Sequence, residues 1–258
     1  MKRRIFPVLG LAAAVFALAT VPASEGDATA AATVATTVVV ELYTSEGCSS
    51  CPSADAVLTR LARAQSIPGA RIVPLAMHVD YWDDLGWKDP FAQPQLTARQ
   101  RRFSAAKGEG RVYTPEAVVD GETGLVGSDE AALRRAIEAS AKRAHTAVTV
   151  ARGAGDALDV RVAATGAAIE VDALLAITED DLVVDVPRGE NSGRRLEHSA
   201  VVRELRSLGA VAPTGATFAP QIGPAPRSGA GAAHRRHAVV IVEERRSRRV
   251  LGAGVLDL

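Results

Sequence analysis

The sequence predicts an α/β fold: a β-α-β unit with a CxxC pair at a helix N-terminus, followed by a β-rich, sandwich-like C-terminal domain. Three observations carry this. A run of bulky apolar residues at positions 38–43 passes within a few residues into a helical pattern at 54–62. The only two cysteines in the 258 residues, Cys48 and Cys51, lie at the switch. From about His145 onward, short β-prone runs separated by Gly-, Asp- or Glu-containing turns take over.

The chain opens with Lys2, Arg3 and Arg4, an uncharged and mostly apolar stretch at 5–21, and the small-residue site Val21-Pro22-Ala23. This reads as a cleavable export signal over residues 1–23, placing the protein in the periplasm or outside the cell, with no membrane span after cleavage. Residues 24–35 form an Ala/Thr linker. The first domain is expected over 36–145 and the second over 146–258.

Val38, Val39, Val40, Leu42 and Tyr43 are apolar on both alternating faces, as a central strand buried on both sides requires. Ala54, Val57, Leu58, Leu61 and Ala62 then mark one face of a helix. Pro52 suits its first turn, Ser50 is the expected N-cap, Asp55 lies near the positive end of the helix dipole, and Pro68-Gly69 ends the segment. Free N–H groups at such a helix start stabilise a thiolate. The first cysteine, Cys48, is expected to be the more exposed and hence the nucleophile, with Cys51 close enough to resolve a mixed disulfide.

Residues 71–79 give a second strand, in which Pro74 points to an edge or bulge. The stretch 78–103 gathers both tryptophans, Trp82 and Trp87, with Tyr81, Phe91 and Phe103 among Asp80, Asp83, Asp84, Lys88 and Asp89. It reads either as a packed loop or as a wall beside the cysteines that contacts a partner. His78 with Asp80 is a candidate for tuning the pair or binding a metal, against an ordinary structural role. A short helix is expected at 97–103 and a strand at 111–120, broken by Thr114-Pro115, with that proline at a strand start or in a cis turn. A helix over 130–143 presents Leu133, Ala136, Ile137 and Ala141 on one face.

The second domain reads as strands near 146–151, 158–163, 169–178 and 182–186, a small strand or turn near 201–205, a long Gly/Ala/Pro-rich loop over 209–237, and a final hairpin. Its cluster Arg188, Glu190, Asn191, Arg194 and His198 reads as loop-ordering hydrogen bonds.

With 30 basic against 30 acidic residues, nothing favours a nucleic-acid partner, and the paired arginines read as solvated faces. Dinucleotide and P-loop fingerprints are absent, so no nucleotide cofactor is expected; the redox-active disulfide Cys48–Cys51 is the only prosthetic chemistry. A two-residue bridge constrains the unfolded chain little, and zinc would need more ligands than two cysteines supply. The redox reading is the leading one. Its alternatives are a copper-binding or metal-delivery protein, since a reduced CxxC near His78 suits Cu(I), and a non-catalytic binding module with a structural disulfide.

The segments ELYTSEGCSSCPSAD, LAMHVDYWDDLGWKDPF, TARQRRF, VYTPEAVVDG and RGENSGRRLEHSAVVREL together resemble the exported, thioredoxin-like DUF1223 family. The resemblance spans most of the mature chain. It implies a thioredoxin-like first domain in which Cys48 and Cys51 are catalytic and Thr114-Pro115 is the cis-proline loop facing them. Pro115 then belongs to the catalytic set. Thr114, Tyr113 and Trp82 become substrate-binding candidates, and protein thiols, disulfides or a redox recycling partner become the expected partners.

Overall fold

The protein is described here by a computed structural model over residues 35–166, 168–224 and 234–258, together with Met1. The expected export signal lies outside the described residues. Among the described residues, no helix is long and apolar enough to cross a membrane.

Strand β1 (Thr36–Thr44) is central. Its alternation sends Val39 and Tyr43 to one face and Val38, Val40 and Leu42 to the other, all of them buried. Helix α1 (Cys51–Ala64) follows and leads to β2 (Ala70–His78), which runs parallel to β1 with Thr36 opposite Ala70 and Thr44 opposite His78. Ala54, Val57, Leu58 and Leu61 of α1 pack onto the Val38 face, alongside Leu133 and Ile137 of α3 (Glu130–Ala141). On the Val39 face lie Leu96 and Phe103 of α2 (Pro94–Lys107). Burying one such Leu or Phe contributes about 1.5–3 kcal/mol, so each helix is held chiefly by its contact with the sheet. Two short strands, β3 (Glu116–Val119) and β4 (Thr123–Val126), extend the sheet antiparallel beyond β1.

Several local expectations are refined. Ser50 occupies the N-cap position of α1 but makes no capping hydrogen bond through its side chain. The helix ends at Gln65, before Pro68-Gly69, because Gln65 turns left-handed and its amide bonds Ala62 O, Ile72 O and Ile72 N. Helix α2 is twice the length expected from 97–103.

The C-terminal half is β-rich, as expected, but most of it does not form a self-contained sandwich. It comprises β5 (Val148–Arg152), β6 (Leu158–Val162), β7 (Val171–Glu179), β8 (Leu182–Val186), β9 (Arg194–His198), β10 (Val201–Val211), β11 (Ala216–Phe218), β12 (Arg236–Glu244) and β13 (Val250–Asp257). Four of these strands continue the first sheet, giving eight strands in the order β13-β12-β7-β10-β2-β1-β3-β4. Strands β11-β6-β5 form a small second sheet, and β8-β9 stand alone as a hairpin. Val150, Leu158, Val160 and Val162 of the small sheet pack on Val171, Ala173, Leu175, Val240 and Val242 of the large one, so sheet-on-sheet packing is local to this end.

The texture change at 145/146 is therefore a change of element type and leaves the sheet unbroken; residues 34–258 form one compact unit. Pro74 fits this arrangement. Ala76 N–H bonds Ala200 O toward β10, whereas β10 pairs with β2 only at Val201–Ala76. The missing N–H of Pro74, on the same side of β2, thus faces a stretch of edge with no strand against it.

One buried ion cluster ties the sheet's distant members. Arg99 of α2 donates to Glu41 of β1 at 2.5 Å and to Glu243 of β12 at 2.8 Å, and Arg248 also pairs with Glu243.

Candidate functional site

Strand β1 ends at Thr44, and the chain turns through Ser45–Gly47 before α1. Two backbone bonds shape the turn, Cys48 N–H to Ser45 O and Cys51 N–H to Cys48 O, both 3.2 Å. Cys48 and Cys51 are joined as a disulfide with Cα atoms 5.5 Å apart. The expected exposure of Cys48 is not found: Cys48 is 1% and Cys51 0% exposed, although Ser49 and Ser50 between them are open to solvent. Ser50 Oγ lies 3.3 Å from Cys48 Sγ.

Three walls surround the turn. The first is the aromatic segment after β2. A side chain at Gly47 would meet Trp82 Cβ at 3.0 Å, so only glycine lets the turn approach the indole this closely. Trp82 Nε1 in turn donates to Thr114 Oγ1 at 2.8 Å. The second wall is the loop before β3, where Thr114-Pro115 is a cis peptide. Pro115 Cβ and Ala54 Cβ both lie within 3.4 Å of where a Gly127 side chain would start, which sets Pro115 beside α1 one turn from Cys51. Tyr113, 38% exposed, presents its ring outward while its carbonyl accepts from Gln100. Cys48, Cys51, Trp82, Thr114 and Pro115 are thus gathered around the start of α1, and Tyr113 lies at their margin.

The third wall comes from the far end of the chain. At the tip of the β8–β9 hairpin, Glu190 Oε2 accepts from Ser49 N–H at 2.9 Å, and the buried Asn191 donates to Glu46 O at 2.8 Å and to Cys48 O at 3.0 Å. Arg194 holds Asn191 Oδ1 at 2.8 Å. These bonds do order a loop, and the loop they order includes the CxxC turn. Hydrogen bonding to Ser49 lowers the Glu190 carboxyl below its ordinary range.

Beneath the turn lies a buried polar layer. Glu46 accepts from Trp87 Nε1 at 2.7 Å and pairs with His198 Nε2 at 3.0 Å. Asp89 pairs with His78 Nδ1 at 2.7 Å and accepts from the Glu46 and Phe91 N–H groups. His78, His198 and Phe91 meet edge to face at 5.1–5.5 Å. Burial pushes the His78 imidazole down, but the Asp89 charge and hydrogen bond carry it above its ordinary value. Burial pushes Asp89 up, and His78 with two backbone N–H groups brings it below the ordinary range. Burial raises the Asp55 carboxyl, with His198 and His78 opposing it. Glu116, next to Pro115, is pushed by burial up to about 7 against the hydrogen bond from Gln100.

His78 thus partners Asp89 instead of Asp80, whose carboxylate accepts from Thr97 Oγ1 at 2.6 Å. Among the described residues, no group of three or more His, Cys, Asp or Glu side chains is arranged to hold a metal ion. Glu46 and Asn191 were not legible as site residues. Only the acid two positions before Cys48 and the polar cluster at 188–198 hinted at them.

The family model described as "Protein of unknown function (DUF1223)" matches residues 39–243. No curated protein matches the chain. Among solved structures, the X-ray structure of protein AGR_C_4864 from Agrobacterium tumefaciens is similar, with a TM-score of 0.66 and 26% identity over 86% of this chain and 94% of that one. HBP35 of Porphyromonas gingivalis has a TM-score of 0.60 and 14% identity over 87% and 76% of the two chains, a likeness of fold alone.

Proposed function

The chain belongs to the DUF1223 family, and we propose that it is a thiol–disulfide oxidoreductase of the cell envelope with Cys48–Cys51 as its redox pair. The observation that carries the reading is the disulfide at the start of α1, flanked by Trp82 and by the Thr114-Pro115 loop that Trp82 tethers. The parallel β1-α1-β2 unit, with antiparallel β3 entered through a cis proline, supports a thioredoxin-like plan for this part of the sheet.

In the oxidising direction a substrate thiolate attacks Cys48 Sγ. The substrate–Cys48 bond forms as the Cys48–Cys51 bond breaks, and the electron pair leaves on Cys51. A second substrate thiolate then attacks the substrate sulfur of the mixed disulfide and releases Cys48 as thiolate, so two electrons pass from substrate to protein. In the reducing direction Cys48 attacks and Cys51 resolves. Free N–H groups at the start of α1 favour the thiolate. An extended peptide adds alongside Thr114, and Tyr113 and Trp82 supply side-chain contacts. No separate cofactor is needed; the recycling partner is another thiol or disulfide.

The test is exchange with a reduced or disulfide-bonded peptide, together with the reduction potential in glutathione buffers. A potential of about −120 to −200 mV marks an oxidant or isomerase, and one near about −270 mV a reductant. A value well below about −300 mV, or a Cys48→Ser variant that keeps all activity, refutes the proposal. Burial of both sulfurs favours one rival, a structural bridge in a binding module; that outcome of the potential measurement is what it requires.

A further inference from the structure

In-line attack on a disulfide needs a path to sulfur, and here both sulfurs are buried. The β8–β9 hairpin reaches the backbone of the turn that carries them, and its construction differs from the rest of the fold. Its two strands pair only with each other, with Leu182 opposite His198 and Val186 opposite Arg194. Among the described residues, every other strand is joined to the eight-stranded sheet or to the three-stranded sheet packed on it.

The root of the hairpin is firmly set. Ala200 N–H bonds Asp180 Oδ1 at 2.7 Å, Ala76 N–H bonds Ala200 O, and His198 pairs with Glu46. Both ends of the arm are left-handed at residues other than glycine: Asp181, just before β8, has φ +59°, and Ala200, just after β9, has φ +56°. Such positions are held by their surroundings and are found where a segment changes conformation.

Between root and tip one face of the arm packs on the body: Leu182 clusters with Ala76, Val201 and Phe91, and Val186 and Leu196 are buried. A cleft of about 610 Å³ runs between its flank and α1, lined by Pro52, Asp55 and Thr59 on one side and Leu182, Leu196 and His198 on the other. The tip, residues 187–193, meets the body at the CxxC turn and is the part free to lift. Its backbone at Gly189 rests against Trp87 and Gly86. Its polar grip includes hydrogen bonds from Ser49 to Glu190 and two from Asn191, to Glu46 O and Cys48 O. Asn191 is buried, whereas Glu190, Ser192 and Arg194 are exposed, so one side chain supplies the buried part of the grip.

We propose that the β8–β9 hairpin is a cover over the Cys48–Cys51 disulfide, latched at the redox turn by Asn191 and Glu190, and that a thiol substrate reaches Cys48 only when the tip lifts. The inference rests on the exchange reading above and adds regulated access to it. Substrates whose backbone offers carbonyl and N–H groups to the turn replace the latch bonds as they enter, whereas small thiols must wait for the tip to open. A cover obstructs traffic in both directions, so removing it raises forward and reverse rates alike and leaves the equilibrium alone.

The experiment follows disulfide reduction by dithiothreitol and reoxidation by oxidised glutathione, by stopped-flow Trp fluorescence, in the full chain. Asn191→Ala is expected to raise both rates at least tenfold, with the equilibrium constant against glutathione within threefold of wild type. Glu190→Ala removes the exposed part of the latch, is expected to fold normally, and should raise both rates two- to fivefold. Ser192→Ala, whose hydroxyl reaches only Pro187 O within the tip, should leave them within twofold. Hydrogen exchange at the Ser49 amide should quicken in the first two variants and not in the third. Rates in Asn191→Ala and Glu190→Ala within twofold of wild type would overturn the cover while leaving the exchange reading intact. Faster reduction alone, with a displaced equilibrium, would also overturn it, since Asn191 would then be tuning the pair. Absence of exchange in wild type and variants alike would overturn both.

Discussion

Trp82 Nε1 donates to Thr114 Oγ1 at 2.8 Å, while Trp82 Cβ lies against Gly47 next to Cys48. One residue thereby spans the CxxC turn and the loop before β3 and fixes the separation of the two segments. Trp82→Phe keeps most of the ring and loses the donor. A net loss of about 1 kcal/mol is expected in urea unfolding. Exchange with a peptide disulfide should fall about tenfold, as a misplaced positioning contact costs on that scale, while exchange with dithiothreitol changes little. Equal losses for both substrates would place Trp82 in packing alone.

Asp89 is the hub of the layer beneath the turn, accepting from the Glu46 and Phe91 N–H groups and pairing with His78. Asp89→Asn leaves His78 without its buried counter-charge and should cost about 3–5 kcal/mol. The pH dependence has a definite sign. Asp89 lies below its ordinary value, so its contribution is present above about pH 4 and lost as pH falls through its folded pKa. His78 lies above its ordinary value, so its contribution is full below about pH 6.5 and lost as pH rises through its folded pKa. The gap in melting temperature between wild type and variant should therefore be widest near about pH 5.5 and narrower at about pH 9.

Glu116 has a slope opposite in sign to that of Asp89 and the same as that of His78. Its folded pKa is about 7 against an ordinary 4.5, so the folded state retains a proton that the unfolded state has released between those values. Its cost to stability grows as pH rises through this window and is complete above it. Glu116→Gln retains a carbonyl acceptor for Gln100 Nε2, which reaches Glu116 at 2.7 Å. Thermal melts should show the variant more stable by about 2 kcal/mol at about pH 8, allowing for partial screening, and equal to wild type near about pH 4. Equal stability at both pH values would refute the assignment.

Arg99 sits between Glu41 and Glu243. Arg99→Met strands Glu41 in the core and should cost about 3–5 kcal/mol. The double variant Glu41→Leu with Arg99→Met should recover most of that loss, because Arg248 still neutralises Glu243. A double variant that stays about as far below wild type as the single one would show that the pair contributes more than its desolvation costs.

The parts legible in the sequence are those where a local pattern and its environment agree. Val38–Val39–Val40 and Leu42–Tyr43 read as a strand buried on both faces because helices do cover both faces. Helix α1 reads clearly because its buried face is aliphatic. Helix α2 is obscured for a physical reason: Thr97, Arg99, Gln100 and Ser104 share its buried face, each bonded to a partner in the fold, so the apolar stripe shrinks to Leu96 and Phe103. Strand β10 was visible only as a short piece near Val201, because shifts at Val202/Glu204 and Ser207/Gly209 disrupt its alternation. In the site, CxxC and Thr114-Pro115 are each legible as a short local motif. Asn191 is 143 residues from Cys48, and no local pattern connects them.

The last strand imposes an order on biogenesis. Val250 N–H of β13 bonds Asp120 O at 2.8 Å, and Leu251 O accepts from Thr146 N–H at 2.6 Å, so the C-terminus closes contacts with the middle of the chain. A polypeptide emerging N-terminus first has made β1, α1 and both cysteines long before β10, β12 and β13 exist. Such late, non-local pairing is slow and leaves strand edges bare until synthesis is complete. During that interval Cys48 and Cys51 are exposed without the hairpin that later grips their turn. The time at which their bond forms, before or after the final strand docks, then determines whether the pair is closed while still open to solvent or only once it is buried.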